Sequence, residues 1–265
     1  MTKSLRMPVL FIAHGSPMIA LEDSAYTKFL NQLAATLPAP TAIAMFSAHW
    51  EESVQTVNGG ARLETMYDFG GFPEALYQVR YNPPGDPALA RRVGALLADA
   101  GVEHRVEQSR ALDHGAWTIL HRVFPAQTVP VVELSVNARL TPAEQYAIGR
   151  ALSPLRDDGV LILASGVTVH NFAMMREARD DGQAAPWAEA FEAWLDDAVR
   201  HWQLDDLFHY ADRAPEAQKA VPPRAREHFV PLLYAAGAAD ATRRARVLYR
   251  DFPWGVMSNT VYRFD

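Results

Sequence analysis

Three apolar runs of the chain each lead to a histidine. These histidines are His14, His49 and His170, and the runs begin at residues 8, 42 and 160. Short apolar runs bounded by glycine or proline are typical of buried strands. Ligands of open α/β sheets bind outside the carboxyl ends of the strands. We therefore expect the three imidazoles to meet at one rim of a sheet, where they could bind a metal or exchange protons.

Between the apolar runs, the spacing of apolar residues predicts helices. Capping signals at Ser24, Asp86 and Thr141 mark three helix starts, and further helices are expected at 115–124 and 227–236. Additional strands are expected at 104–107, 129–134, 246–250 and 260–264. The Asn58-Gly59-Gly60 sequence predicts a hairpin, and the apolar stripe that begins at Trp187 predicts a core helix. This alternation indicates an α/β fold with a central, mostly parallel or mixed sheet and helices on both faces.

Composition narrows the possible partners and location. The 265 residues are 49% hydrophobic and carry a net charge of −6, and only three of the basic residues are lysines. No basic stripe is evident, which argues against binding to nucleic acid or to an anionic membrane. The chain has no cysteine, and its start does not resemble a signal peptide, so we expect a cytoplasmic protein. No linker divides the chain, so we expect a single domain over 1–265, as a monomer or a small homo-oligomer.

The remaining histidines divide into two groups. Those in polar or helical contexts are expected to be surface or packing residues: His104, His121, His201 and His209. His114 and His228 are candidates for further metal ligands, and spacing alone does not choose between them. The chain contains no His-Glu-x-x-His motif and no Gly-x-Ser-x-Gly elbow.

At these histidines the chain resembles class III extradiol ring-cleavage dioxygenases of the LigB type, and within them the 4,5-DOPA dioxygenase branch. The resemblance runs nearly end to end. It rests on motifs that occur in the same order as in the family: His14-Gly15-Ser16-Pro17, Ser47-Ala48-His49-Trp50, Leu112-Asp113-His114-Gly115-Ala116-Trp117, Ser165-Gly166 with His170-Asn171, Glu227-His228-Phe229-Val230-Pro231-Leu232, and Ser258-Asn259-Thr260-Val261-Tyr262-Arg263-Phe264.

The resemblance implies a role for each of five histidines. It implies that His14, His49 and His228 bind one divalent metal and that His170 is the acid–base group. His114 is expected to contact the substrate. Separately, the position of Asn171 next to His170 predicts that its side chain holds a ring or substrate oxygen. Where the related protocatechuate-cleaving enzymes have a glutamate as third ligand, this chain has His228. The adjacent Glu227 is not expected to replace it, because one residue along a helix turns a side chain by about 100°.

The resemblance also implies a reaction. A catechol such as DOPA would be opened by dioxygen to a muconic semialdehyde, with Fe(II) as the active metal. Three neutral imidazoles also suit Zn(II), with His170 as a possible fourth ligand. Two alternatives stay open at this stage. One is a zinc-dependent hydrolase that uses the same pocket, and the other is a binding protein without enzymatic activity, like the Memo-type proteins.

Overall fold

The computed structural model describes residues 6–179 and 181–265. Within them, eight strands form one mixed sheet in the order β4-β3-β5-β2-β6-β1-β8-β7. The four central strands β5, β2, β6 and β1 run parallel to one another. The strands are β1 Val9–Ala13, β2 Ala42–Glu51, β3 Gln55–Asn58, β4 His104–Glu107, β5 Val131–Val136, β6 Val160–Gly166, β7 Ala245–Tyr249 and β8 Val261–Phe264.

Helices connect the strands. The α-helices are α1 Ala25–Leu33, α2 Pro87–Asp99, α3 His114–Val123, α4 Pro142–Ala151, α5 Pro186–Arg200, α6 Leu204–Phe208, α7 Tyr210–Arg213, α8 Ala217–Ala220 and α9 Val230–Ala238. Shorter 3-10 helices are Pro17–Ala20, Ala34–Thr36, Glu74–Gln78, Ser153–Asp158, Phe172–Glu177 and Pro253–Gly255.

Two apolar clusters cover the two faces of the sheet. Val9 and Phe11 of β1 pack into the larger cluster with α2, α4, α5 and α9. Leu10 and Ile12 point to the other face, where α1 and α3 cover them. Alternate residues of one strand thus enter two cores, as expected for a strand buried on both faces. The predicted α/β class, the mixed sheet and the helices on both faces are confirmed.

Most of the predicted helix starts and strands are also confirmed. Ser24, Asp86 and Thr141 each accept hydrogen bonds from the first turn of their helix. The strand predicted at 104–107 has the bounds of β4. The helix predicted from Glu227 begins three residues later, at Val230, with Pro231 in its first turn, where a missing N–H costs no hydrogen bond.

The hairpin predicted at Asn58-Gly59-Gly60 is wrong. β3 ends at Asn58 and pairs with β4 in parallel and with β5. The Asn58 amide instead donates to the Arg110 carbonyl at 2.8 Å, and its Oδ1 accepts the Gly60 N–H at 3.1 Å. These bonds direct the chain towards the segment before α3 rather than back along β3. Among the described helices, none is long and apolar enough to cross a membrane.

Candidate metal centre and active site

Five histidine rings meet at the carboxyl ends of β1, β2 and β6. His14 follows β1, His49 lies near the end of β2, and His170 follows β6 by four residues. His114 is the first residue of α3, and His228 lies in the turn before α9. The His14 ring centre lies 4.8 Å from that of His49 and 5.1 Å from that of His228. The expected convergence of imidazoles at one rim is confirmed.

The Nε2 atoms of His14 and His228 both lie close to the Nε2 atom of His49. His49 Nε2 lies 3.1 Å from His14 Nε2 and 3.3 Å from His228 Nε2. Imidazole nitrogens lie about 2.0–2.1 Å from a bound Zn²⁺, so neighbouring ligands at tetrahedral or octahedral angles are about 2.8–3.4 Å apart. Both observed distances fall in this range. His14 and His228 are thus each at ligand-to-ligand distance from His49, which makes these three residues candidate ligands of a divalent metal.

The opposite nitrogens fix the ring tautomers of two of these histidines. The Ser165 hydroxyl donates to the Gly115 carbonyl at 2.6 Å, so it can only accept from His14 Nδ1, 2.9 Å away. His228 Nδ1 lies 2.9 Å from Glu227 Oε1, which accepts its proton. In both rings the proton is on Nδ1, and Nε2 offers a lone pair. Partners of this kind are typical of metal-binding histidines.

His114 offers a second possible triad. One ring nitrogen from each of His14, His49 and His114 lies within 4.8 Å of the other two. His114 Nδ1 lies 3.0 Å from Asp68 Oδ1, which also accepts the His114 backbone N–H at 2.9 Å. Asp68 thus binds the His114 backbone and lies beside its ring, whose centre is 3.9 Å from that of His49.

His170 lies against a histidine of the Nε2 cluster. Its ring stacks on that of His228 at a centre distance of 3.8 Å and an angle of 12°. Its backbone N–H donates to the Ala220 carbonyl at 2.9 Å. Neither of its ring nitrogens forms a hydrogen bond with a residue in the described part of the chain. The ring lines the cavity described below, so its nitrogens are available to a ligand.

Burial keeps the imidazoles of four of these histidines neutral: His14, His49, His170 and His228. Burial, followed by the proximity of His49 and His228, holds the pKa of His14 well below its usual value. Burial and neighbouring histidines also lower the pKa of His49 and His170 to about 3, and that of His228 to about 4. Metal ligands must be deprotonated, so a cluster of neutral imidazoles is ready to bind a cation.

Two glycines leave the space that His228 and His49 need to reach the site. A Cβ at Gly166 would lie 2.2 Å from the His228 carbonyl oxygen, which accepts the Val167 N–H at 2.8 Å. A Cβ at Gly115 would lie 2.8 Å from His49 Cδ2 and 2.9 Å from Ser47 Oγ. Glycine at these two positions therefore lets the backbone reach the cluster.

Asn171 departs from the role expected for it. Its amide nitrogen donates to the Lys219 carbonyl at 2.9 Å, and its Oδ1 accepts the Ala173 N–H at 3.0 Å. The side chain caps the 3-10 helix Phe172–Glu177, and it is not among the residues that line the cavity. We correct its assignment from substrate contact to helix cap, because asparagine next to a helix start competes effectively for main-chain N–H groups.

The five histidines open into a cavity of about 630 Å³. Apolar and aromatic side chains form most of its wall, and Phe172 and Trp254 lie at its mouth with 70% and 50% of their surfaces exposed. Ligand pockets commonly combine such an apolar wall with a few converging polar groups. This cavity can therefore take a small aromatic molecule next to the histidines.

The fold and the site together define an α/β protein with a candidate metal centre at the sheet rim. Its sequence relatives agree on the family. The profile described as "Catalytic LigB subunit of aromatic ring-opening dioxygenase" matches residues 8–264, and the chain belongs to this family. It is a metal-dependent extradiol ring-cleaving dioxygenase, which sets aside the hydrolase and binding-protein alternatives.

Individual relatives match over nearly the whole chain. A protein from Beta vulgaris named "4,5-DOPA dioxygenase extradiol" is 40% identical, covering 96% of this chain and 95% of its own length. One of the same name from Escherichia coli K12 is 38% identical, covering 96% and 93%. The crystal structure of an uncharacterized E. coli K12 protein has a TM-score of 0.80 at 33% identity, and covers 98% of this chain and all of that one.

Several residues of the site were given no role from the sequence. Ser165 and Asp68 hold the rings of His14 and His114, and Asp113 accepts the Ser47 hydroxyl at 2.6 Å beneath His49. Asp113 had one usable signal, because it precedes a helical pattern as an N-cap would. Asp68 lies in an irregular segment between β3 and α2, where no periodicity marks a position.

Proposed function

We propose that His14, His49 and His228 bind the divalent metal and that this centre opens the ring of a catechol with a side chain, such as DOPA. The observation that carries the proposal is the approach of His14 Nε2 and His228 Nε2 to His49 Nε2, at 3.1 and 3.3 Å. The relatives named for 4,5-DOPA cleavage support the substrate. The absence of cysteine suits the reducing cytoplasm, where we propose that the protein acts.

His228 is preferred to His114 as third ligand for two reasons. Its Nε2 is within the ligand-to-ligand distance of His49 Nε2, and Glu227 holds the proton of that ring on Nδ1. His114 instead has Nδ1 next to Asp68, which leaves Nε2 for a substrate in the cavity. We assign His114 to contact with the catechol.

The metal that we propose for activity is Fe(II). When bound, it would supply both Lewis acidity, which lowers the pKa of a coordinated phenol, and the redox chemistry that zinc lacks. In the overall reaction a ring carbon–carbon bond beside the diol breaks, and both atoms of dioxygen enter the product.

His170 is the proposed acid–base group. Its ring nitrogens have no partner among the described residues and its ring lies against His228, so it is next to the position of a bound catechol. As a neutral imidazole it would accept the proton of the second catechol hydroxyl and return a proton as the ring opens. His114, which lines the same cavity, would orient the catechol ring by hydrogen bonding. The apolar wall of the cavity excludes water from the reacting atoms.

Reconstitution tests the proposed activity. Protein stripped with a chelator and loaded anaerobically with Fe(II) should consume one dioxygen per DOPA and form a yellow semialdehyde. The same protein loaded with Zn(II) should consume none. If fully iron-loaded protein takes up no oxygen with any catechol of a broad panel, the proposed substrate class is wrong.

A pair of variants tests the ligand assignment. His228→Ala should lose metal, because changes to partners of metal ligands already cost about 10–100-fold in affinity and loss of a ligand costs more. His114→Ala should keep its metal and bind catechol more weakly. Stoichiometric tight binding in His228→Ala, with metal loss in His114→Ala, would assign the third ligand to His114.

A further inference from the structure

One carboxylate lines the cavity away from the histidines. Glu22 is the only acidic residue among the lining residues of the described chain, and no lysine or arginine lines the cavity. The remaining lining residues are histidine, apolar residues and neutral polar residues. Apart from the metal centre, the fixed charge of this cavity is therefore negative.

The backbone of Glu22 is held in place. The Arg122 guanidinium donates to the Glu22 carbonyl at 2.7 Å and to the Ile19 carbonyl at 2.6 Å. The Glu22 N–H donates to the Met18 carbonyl at 2.9 Å. The Glu22 carboxylate itself forms no ion pair or hydrogen bond with a described residue. It is a fixed anionic group whose hydrogen-bonding capacity is left for a ligand.

Glu22 and the histidines line the same cavity, with a short helix between Glu22 and His14 along the chain. The 3-10 helix Pro17–Ala20 separates Glu22 from His14, and four residues of such a helix rise about 8 Å. A catechol held at the histidines by its hydroxyls directs the substituent on the far side of its ring away from them. Burial raises the pKa of Glu22, and Arg122 opposes part of this rise. Glu22 as a whole is exposed, so solvent weakens the attraction of its carboxylate for a cation and partial burial restores only part of it.

The mouth of the cavity also favours a cation over an anion. The exposed rings of Phe172 and Trp254 lie there, and aromatic faces attract ammonium groups. A substrate carboxylate would find only neutral donors among the lining residues, such as Asn259 and Ser258. The cavity therefore offers a charged partner for an ammonium group and none for a carboxylate.

We propose that Glu22 binds the ammonium group of the substrate side chain, so that this enzyme selects catechols with a cationic side chain and does not need a carboxylate. This inference rests on the proposed function, since it takes the catechol to be held at the histidines. It predicts that dopamine is accepted as well as DOPA. It also predicts that 3-(3,4-dihydroxyphenyl)propionate, which has a carboxylate and no ammonium group, is a poor ligand.

Binding tests the inference without turnover. Calorimetric titration of the Zn(II)-loaded protein should give similar dissociation constants for dopamine and DOPA, and weaker binding of the propionate. Glu22→Gln should weaken binding of dopamine and DOPA about three- to fivefold, because an ion pair at an exposed carboxylate contributes up to about 1 kcal/mol. It should leave binding of 4-methylcatechol unchanged. The affinity of Glu22→Asp for dopamine and DOPA should lie between that of the wild type and that of Glu22→Gln. Asp23→Asn removes a neighbouring carboxylate outside the cavity, so its affinities should match those of the wild type.

Kinetics of the Fe(II)-loaded enzyme should follow the same pattern. Glu22→Gln should raise KM for dopamine and DOPA with kcat unchanged, and should not alter KM for 4-methylcatechol. The role of Glu22 would be overturned if Glu22→Gln raised KM equally for dopamine, DOPA and 4-methylcatechol. It would also be overturned if the wild type bound the propionate more tightly than dopamine. If the iron enzyme opens no catechol, the proposed function fails, while the zinc titration still decides the role of Glu22.

Discussion

The substitution Gly115→Ala has two opposing effects: it should stabilise helix α3, and it should displace the metal ligand His49. Gly115 is the second residue of α3, where alanine normally stabilises a helix by up to about 1 kcal/mol. Here the new Cβ would lie 2.8 Å from His49 Cδ2. Carbon atoms in contact prefer about 3.5–4.0 Å, so the His49 ring must move by roughly 0.7 Å or more.

A displacement of this size is too large for the metal centre. Ligand distances are held to about ±0.2 Å in well-formed sites, so His49 cannot stay in place and accept the methyl group. We expect Gly115→Ala to weaken metal binding about 10–100-fold, or about 1.4–2.8 kcal/mol. Zn(II) affinity measured against a competing chelator checks this, with urea unfolding of the metal-free protein to detect any general loss of stability.

Gly94→Ala is the matched control. Gly94 lies inside α2, and its Cβ would meet only the ring end of His104, at 3.0 Å. That side chain can move without disturbing the site, so metal affinity should stay at the wild-type value. If Gly115→Ala binds metal with an affinity within twofold of the wild type, the close approach of the Gly115 backbone to the His49 ring does not position that ligand.

Three further predictions concern the histidines. His170→Ala loaded with Fe(II) should keep its metal and lose about 10²–10⁴-fold in turnover, since general acid–base catalysis is typically worth that much; loss of iron would make His170 a ligand. Ser165→Ala removes the acceptor for His14 Nδ1 and should weaken metal binding about 10–100-fold in a chelator competition, so an unchanged affinity would contradict its role. The free energy of unfolding of the metal-free protein should fall as the pH drops below about 6.5. The imidazoles have a higher pKa in the unfolded chain than in the folded protein, so the unfolded state binds more protons. With folded pKa values of about 3 for His49 and His170 and about 4 for His228, the loss at pH 5.5 should approach about 4 kcal/mol, and equal unfolding free energies at pH 7.5 and 5.5 would contradict it.

Strand periodicity was sufficient to predict part of this site. The runs that end near His14, His49 and His170 belong to neighbouring parallel strands, so their carboxyl ends meet at one edge. That relation follows from the sheet rule and needs no knowledge of side-chain contacts. The rim itself could therefore be predicted from the sequence.

The other parts of the site depend on contacts between distant segments. Nothing in the spacing of His228 indicates that its carbonyl accepts the Val167 N–H, or that Gly166 provides the space for it. Only the family resemblance distinguished His228 from His114. The failed hairpin at Asn58 has a similar origin, because its side chain bonds to Arg110, 52 residues away, and local turn propensity contains no information on that bond.

Contacts at the end of β6 position the proposed metal ligands. The Ser165 hydroxyl accepts a hydrogen bond from His14 Nδ1. Of the next two residues, Gly166 leaves space for the His228 carbonyl and Val167 donates its N–H to that carbonyl. Three consecutive residues at the end of one central strand thus position two of the three proposed ligands, while Gly115, whose carbonyl Ser165 binds, borders the third. Because these contacts are mostly to main chain, the ligand geometry is set by the sheet and by α3. Substitutions on the cavity wall, at Glu22 or at the aromatic mouth, can then change which catechol binds without moving the ligands.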